Sequence, residues 1–288
     1  MANVLAVIGG SGLYDLEEIE GTEKLAVSTP FGEPSAHVVR GRIGETTMLF
    51  LPRHGEGHRI SPSAINYRAN ICALKKLGAT HLLSVSAVGS MREDIHPGDV
   101  VLVDQFIDLT KRRVSTFFDE GLAVHVAFSD PVCPLMLETV QRAGQQVGTR
   151  IHRGGTYLCM EGPQFSTRAE SMLYRSWGVS VIGMTNMPEA KLAREAELPF
   201  CTIALATDYD CWHETEEAVT VGTVIETLNQ NVRTAKAMLV MTAGMLPDPQ
   251  ASPAYRALEG AIITPPSAVG NPARERLGWL LGPYLDRS

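Results

Sequence analysis

Paired cysteines are missing from this sequence. The five that occur, Cys72, Cys133, Cys159, Cys201 and Cys211, are odd in number and show no C-x-x-C spacing. That argues against a disulfide framework or a zinc site and suits a reduced, cytoplasmic chain. Basic residues are not in excess either. With 25 Lys and Arg against 32 Asp and Glu, the net charge is −7, unsuited to a general nucleic-acid surface, which needs clustered cations. No apolar run reaches the length of a membrane span. The opening residues, Met1 to Gly10, have no basic n-region, so they read as a first strand rather than a signal peptide. The glycines that follow do not complete a dinucleotide fingerprint, since Gly10-x-Gly12 leads to Asp15, and no Walker lysine follows. His213-Glu214 begins like a zinc-protease helix, but Glu217 stands where the second histidine is required.

What remains is a chain of 288 residues of ordinary globular composition, enough for one large α/β domain or two small ones. Strand, loop and helix recur with short connections, which predicts an α/β sandwich around a largely parallel sheet. Predicted helices include one opened by Ser61 and Pro62 and closed by Gly78, and one from about Pro134 to Gly148. Two more begin at the capping box Thr167-x-x-Glu170 and near Pro188, and a long amphipathic helix starts near Val221. Pro247, Pro249 and Pro253 break the pattern after that helix. Residues 1–246 are therefore read as the main domain and 247–288 as an extension packed on it or at a subunit contact.

Polar chemistry gathers where strands end. Leu5 to Ile8 runs into Gly9-Gly-Ser11-Gly12, a turn that exposes backbone N–H groups to an anion. Thr46 to Leu51 runs into Pro52-Arg53-His54-Gly55, where arginine and histidine suit an oxyanion. His81 to Ala87 ends in small and hydroxyl-bearing residues around Ser86. Val179 to Met184 leads to Thr185. Phe200 to Thr207 is an apolar run that ends in Asp208 and Asp210. If the backbone stays extended there, both carboxylates point to one side. Two acids at the end of a buried strand are costly unless something engages them. A solvated turn, a metal, a shared proton or a ligand with its own donors and acceptors would each satisfy them.

Together these residues resemble the trimeric purine nucleoside phosphorylases, and within them the 5′-methylthioadenosine phosphorylases. The resemblance runs from about Val7 to Met245. It is carried by Gly9-Gly-Ser-Gly12, Thr29-Pro-Phe-Gly32, Arg53-His54-Gly55 with His58, Asn66-Tyr67-x-Ala69-Asn70 and Gly89-Ser90. Further along it includes Pro97-Gly98-Asp99, Asp104-Gln-Phe-Ile-Asp108, Glu161-Gly-Pro163, Ser171, Met184-Thr185 and Ala206 to Trp212. The resemblance implies a single-domain three-layer α/β sandwich with a mixed sheet. It also implies cleavage of an N-glycosidic bond by inorganic phosphate, here a co-substrate, with no cofactor, no metal and no covalent enzyme intermediate.

Carried over residue by residue, the resemblance places phosphate on Ser11, Arg53, His54, Ser86, the Ala87 backbone and Thr185, with Arg53 providing charge. Met184 would lie under the ribose and Phe165 on the purine face. Asp208 would be the catalytic proton donor to purine N7 and Asp210 the acceptor for the 6-amino group. Ser166 and Asp208 replace the Glu and Asn of 6-oxopurine enzymes, which favours adenine. Val221, with Val224 and Ile225 one turn on, replaces a histidine and suits a methylthio group. His125 would reach this end from a neighbouring subunit, so a homotrimer is expected, with pairing into a dimer of trimers left open. The expected reaction converts S-methyl-5′-thioadenosine to adenine and 5-methylthioribose 1-phosphate in purine and methionine salvage. The alternatives are a 6-oxopurine-preferring sister enzyme, acting on 5′-methylthioinosine or inosine, and a nucleoside-binding protein without catalysis. Neither nucleic acid nor membrane is an expected partner.

Overall fold

A computed structural model describes residues 3–10, 13, 17–213 and 221–285, without the side chains of 221–226 and 228. Ser11, expected to hold phosphate, therefore lies outside the described residues, as do the side chains of Val221, Val224 and Ile225, expected to shape the 5′ end.

Four strands come first: β1 (Val4–Gly9), β2 (Glu20–Leu25), β3 (Val38–Ile43) and β4 (Thr46–Pro52). Helix α1 (Tyr67–Lys76) leads to β5 (His81–Ser90), β6 (Val100–Leu102) and β7 (Gln105–Asp108). Then come α2 (Pro134–Val147), β8 (Ile151–Arg153), β9 (Thr156–Cys159), α3 (Arg168–Ser176), β10 (Val181–Gly183) and α4 (Asn186–Glu195). The last elements are β11 (Phe200–Asp208), α5 (Val221–Ala243) and α6 (Asn271–Leu285). β5 is the spine of the sheet. It pairs in parallel with β1 on one side and β11 on the other, and its last two residues take β10 antiparallel. From β1 the sheet continues through β4 and β3 to β2, from β10 through β9 to β7, and from β11 through β6 to β8.

Alternation explains why the sheet is covered on both faces. In β1, Ala6 and Ile8 enter one apolar cluster while Leu5 and Val7 enter another, as a period of two requires. Each of these larger side chains contributes roughly 1.5–3 kcal/mol by leaving water. α1 and α4 cover the first face and α2 and α5 the second, giving three layers with a mixed, mostly parallel sheet. α6 adds Leu277, Leu280 and Leu281 to the α1–α4 side, and Trp279 packs edge-on against Phe117 at 5.3 Å. The strap before it pairs Ile262 with Val124, the Ile263 N–H donating to the Ala123 carbonyl at 2.9 Å. Among the described residues no helix is long and apolar enough to cross a membrane.

Two local readings are revised, and three strands lie outside the sequence pattern. Ser61 makes no capping bond; a 3-10 turn at Pro62–Ala64 intervenes, and Asn66 caps α1 by accepting from the Ala69 N–H at 3.2 Å. Pro188 does not open a regular turn, because Met187 and Pro188 are both non-helical and α4 is regular only after them. β2, β7 and β8 carry too little apolar alternation to be read from sequence, and partner strands make them.

At the end of α4, Glu195 is buried and accepts from the Phe117 N–H and the Thr116 hydroxyl, each at 2.7 Å. Burial is the main cause that pushes its carboxyl from 4.5 up to about 7. The folded state therefore holds a proton here that the unfolded chain has lost, and this contribution to stability declines as pH rises from 4.5 through 7. Glu195→Gln should remove that slope. Urea unfolding should show the variant gaining about 1–3 kcal/mol relative to wild type between about pH 5 and about pH 8. A difference independent of pH would contradict the assignment.

Candidate active site

β4 delivers Arg53 to the edge of the sheet, where its guanidinium is almost wholly buried. It donates to the Val85 carbonyl at 3.1 Å, the Ile8 carbonyl at 3.2 Å and the Ser84 hydroxyl at 2.7 Å. The Glu189 carboxylate grips it from two sides, through Nε and, at 3.0 Å, through Nη2. Burial opposes the cation, but Glu189 more than offsets it, so the Arg53 pKa is raised. Glu189 compensates that charge in place, so what Arg53 brings to a ligand is directed N–H donation beside a paired cation. Glu189 was not legible as a site residue, because nothing near Met187-Pro188 signals a partner 136 positions away.

His54 follows immediately. Its Nδ1–H donates to the Ile60 carbonyl at 2.8 Å, and its ring stacks on His58 at 4.1 Å. Burial, with the nearby Arg53 and His58, holds its pKa down at about 4. The imidazole is thus neutral near pH 7, with Nε2 as an acceptor. Ser86 and Thr185 meet at 3.2 Å, and the Tyr157 hydroxyl braces Ser86 at 3.1 Å.

Further along β5, Gly89 lies beneath the acid pair. A Cβ there would sit 3.0 Å from Asp208 Oδ1 and 3.3 Å from Asp210 Cβ, so any side chain would crowd the pair. The expectation of an extended Thr207–Asp210 segment fails. β11 ends at Asp208, its register shifts after Ala206, and Asp210 begins a 3-10 turn with φ of +53°. The turn, not strand alternation, brings the carboxylates together. Asp208 accepts from the Asp210 N–H at 2.8 Å and the Thr207 hydroxyl at 2.7 Å. Asp210 accepts from the buried Ser171 hydroxyl at 2.5 Å. Burial pushes the Asp210 carboxyl up, and the Asp208 charge adds to that. The bond from Ser171 works against that rise.

One cavity of about 480 Å³ joins these groups, within the range typical of small-molecule sites. It is lined at one end by Gly10, Arg53, His54, Ser86, Ala87 and Thr185 and at the other by Asp208 and Asp210. Ile182, Met184 and the half-exposed Phe165 supply apolar wall. His58, Met160 and Val232 also line it and had not been singled out as wall residues. Val232 belongs to α5, the helix that begins at Val221. Ser166 lies beside the acid pair, its hydroxyl 3.8 Å from the Met160 sulfur. His125 is exposed on the segment that pairs with the strap, its N–H donating to the Ala261 carbonyl at 2.9 Å, and does not line the cavity of its own chain. Among the described residues no cluster of three or more His, Cys, Asp or Glu could hold a metal ion.

Residues 4–242 match the family model described as the phosphorylase superfamily. The chain belongs to the phosphorylase superfamily. It is 52% identical to the S-methyl-5′-thioadenosine phosphorylase of Geobacter sulfurreducens, over 99% of this chain and all of that protein. To the enzyme of the same name from Thermosynechococcus vestitus it is 48% identical, again over 99% of this chain and all of the relative. The crystal structure of a methylthioadenosine phosphorylase from an Antarctic soil metagenomic library superposes with a TM-score of 0.92. It is 46% identical, with 97% of this chain and 99% of that one covered. A methylthioadenosine phosphorylase from Schistosoma mansoni in complex with adenine gives 0.86 at 34% identity, covering 91% and 99%.

The Arg53–Glu189 pair can be tested in this phosphorylase by stability alone. Glu189→Ala should cost about 3–5 kcal/mol, because it leaves a buried cation uncompensated. Replacing both Arg53 and Glu189 by Met should cost less than the sum of the single changes. Additive losses in urea unfolding would show that the two groups are not coupled.

Proposed function

We propose that this chain cleaves S-methyl-5′-thioadenosine with inorganic phosphate, giving adenine and 5-methylthio-α-D-ribose 1-phosphate. The observation that carries this reading is the single cavity with an anion-binding end and an acid pair at the other. β5 spaces the two: Ser86 and Gly89 are three residues apart, about 10 Å along an extended strand, which matches a nucleoside with phosphate beneath its sugar.

In this reading phosphate rests among the Arg53 N–H edge and the Ser86 and Thr185 hydroxyls, close to the anomeric carbon. His54, being neutral, offers its Nε2 lone pair to the remaining P–OH. As the C1′–N9 bond breaks, its electron pair passes to the purine, positive charge grows on the sugar, and a phosphate oxygen closes onto C1′. The acid pair receives the departing base. One carboxyl donates its proton to N7, and the other, ionised, accepts from the 6-amino group. Asp208 remains our choice for the N7 donor and Asp210 for the amino acceptor. This requires the pair's proton to reside on Asp208 as the base leaves. No cofactor, metal or covalent enzyme intermediate takes part. A 6-oxo purine would set a carbonyl against the acceptor and leave buried polar groups unpaired. Val221, Val224 and Ile225 are proposed to shape the 5′ end with His125 of a neighbouring subunit, in a cytoplasmic homotrimer serving purine and methionine salvage.

Base release from methylthioadenosine, methylthioinosine, adenosine and inosine, with and without phosphate, tests the reaction. Methylthioadenosine should turn over fastest, only with phosphate, and should yield methylthioribose 1-phosphate. Release without phosphate would indicate hydrolysis, and faster methylthioinosine turnover would overturn the acid-pair argument. Asp208→Asn should lower kcat on the order of 10²–10⁴-fold with a smaller change in KM. If Asp210→Asn alone has that effect, the proton donor is Asp210.

A further inference from the structure

Arg113 lies on the loop after β7 and does not itself line the cavity, yet its side chain is 1% exposed. Nη1 donates to the main-chain carbonyls of Met184 and Met187, each at 2.6 Å, and to the Tyr67 hydroxyl at 3.1 Å. Nη2 donates to the Glu161 carbonyl at 2.8 Å. Nε faces the Ser63 hydroxyl at 3.4 Å and the Glu161 carboxylate at 3.5 Å. The contact is reciprocal. Glu161 Oε2 accepts from the Lys111 N–H at 2.6 Å and the Arg112 N–H at 3.2 Å, holding the loop that carries Arg113. Desolvation opposes its charge, but the bonds from Ser63 and these amides hold the Glu161 carboxyl down at about 2.

The two segments joined here leave the paired strands β10 and β9 side by side, and each supplies one stretch of the cavity wall. Met184 and Thr185 line one, and Met160 and Phe165 line the other. They touch directly where Gly162, at φ of +66°, would place a Cβ 2.6 Å from the Met184 sulfur, so the gap between the walls has little slack. Neutral hydroxyls and carbonyls could fasten two loops at lower desolvation cost. A planar five-donor cation fixes several carbonyls at defined angles, which a single hydroxyl cannot.

We propose that Arg113, latched by Glu161, is a positioning residue that sets Thr185 and Met184 against the Phe165 wall and so tunes the phosphate end of the site without touching a ligand. The inference rests on the phosphorolysis reading for what is positioned, and its test is arranged to separate the two. Arg113→Met should still unfold cooperatively, while KM for phosphate rises at least tenfold and kcat falls. Arg113→Lys should recover part of the loss, and Glu161→Gln should show the same shift to a smaller extent. A folded Arg113→Met with phosphate KM within twofold of wild type would overturn the proposal. So would a fall in kcat at unchanged KM that follows the fraction unfolded. If Arg113→Met does not fold, Glu161→Gln decides: an unchanged phosphate KM there overturns it. Calorimetric titration with inorganic phosphate separates the readings. Wild-type binding without turnover sinks the reaction alone, and tenfold weaker binding by the variant then still supports the latch. Equal binding by variant and wild type, or no binding by wild type, overturns the latch.

Discussion

A guanidinium buried among main-chain carbonyls must find a carboxylate, and much of this site follows from that demand. Arg53 leaves β4 in the sheet interior, where water cannot solvate it. Its carbonyl partners come from β1 and β5, its hydroxyl partner from β5, and its counter-charge from α4. The ion pair therefore links three strands to one helix at the place where β10 gives way to α4. Thr185 lies four residues before Glu189 and is carried to the cavity by the same connection. Removing one partner would leave a buried charge with only neutral carbonyls and a hydroxyl around it, a far larger penalty than the pair's own net worth.

That arrangement also changes how anion binding should be understood. A free arginine would attract a dianion through net charge over several ångströms. Here Glu189 cancels that field, burial keeps His54 neutral, and the hydroxyls of Ser86 and Thr185 are uncharged. The anion end is thus a cradle of oriented dipoles rather than a cationic patch. Such a cradle favours geometry over charge, and it fits a chain whose net charge is −7. Burial also acts at the far end of β5, where it pushes the Asp210 carboxyl up.

Strand endings were legible in the sequence because local chemistry marks them. An apolar run that stops at Arg53-His54, or at Asp208, is visible without any knowledge of partners. Alternation in β1 and β11 and the capping box at Thr167 likewise follow from the nearest few residues. β2, β7 and β8 were not legible, since their existence depends on hydrogen bonds to distant strands. Glu189 and Arg113 escaped for the same reason. Each looks like an ordinary charged residue of a helix or loop until folding buries it beside its partners.

By itself the sequence determined which groups stand at the ends of strands, and so the inventory of the site: an arginine, a histidine, hydroxyls and two acids. Side-chain alternation and turn chemistry are local, and a linear reading captures them. Tertiary structure alone decided how those groups are charged and aimed. It brought Glu189 to Arg53 and Ser171 to Asp210, and it replaced the expected extended segment with a turn over Gly89. Protonation and direction depend on burial and on partners far away in the chain, and neither exists before the chain has folded.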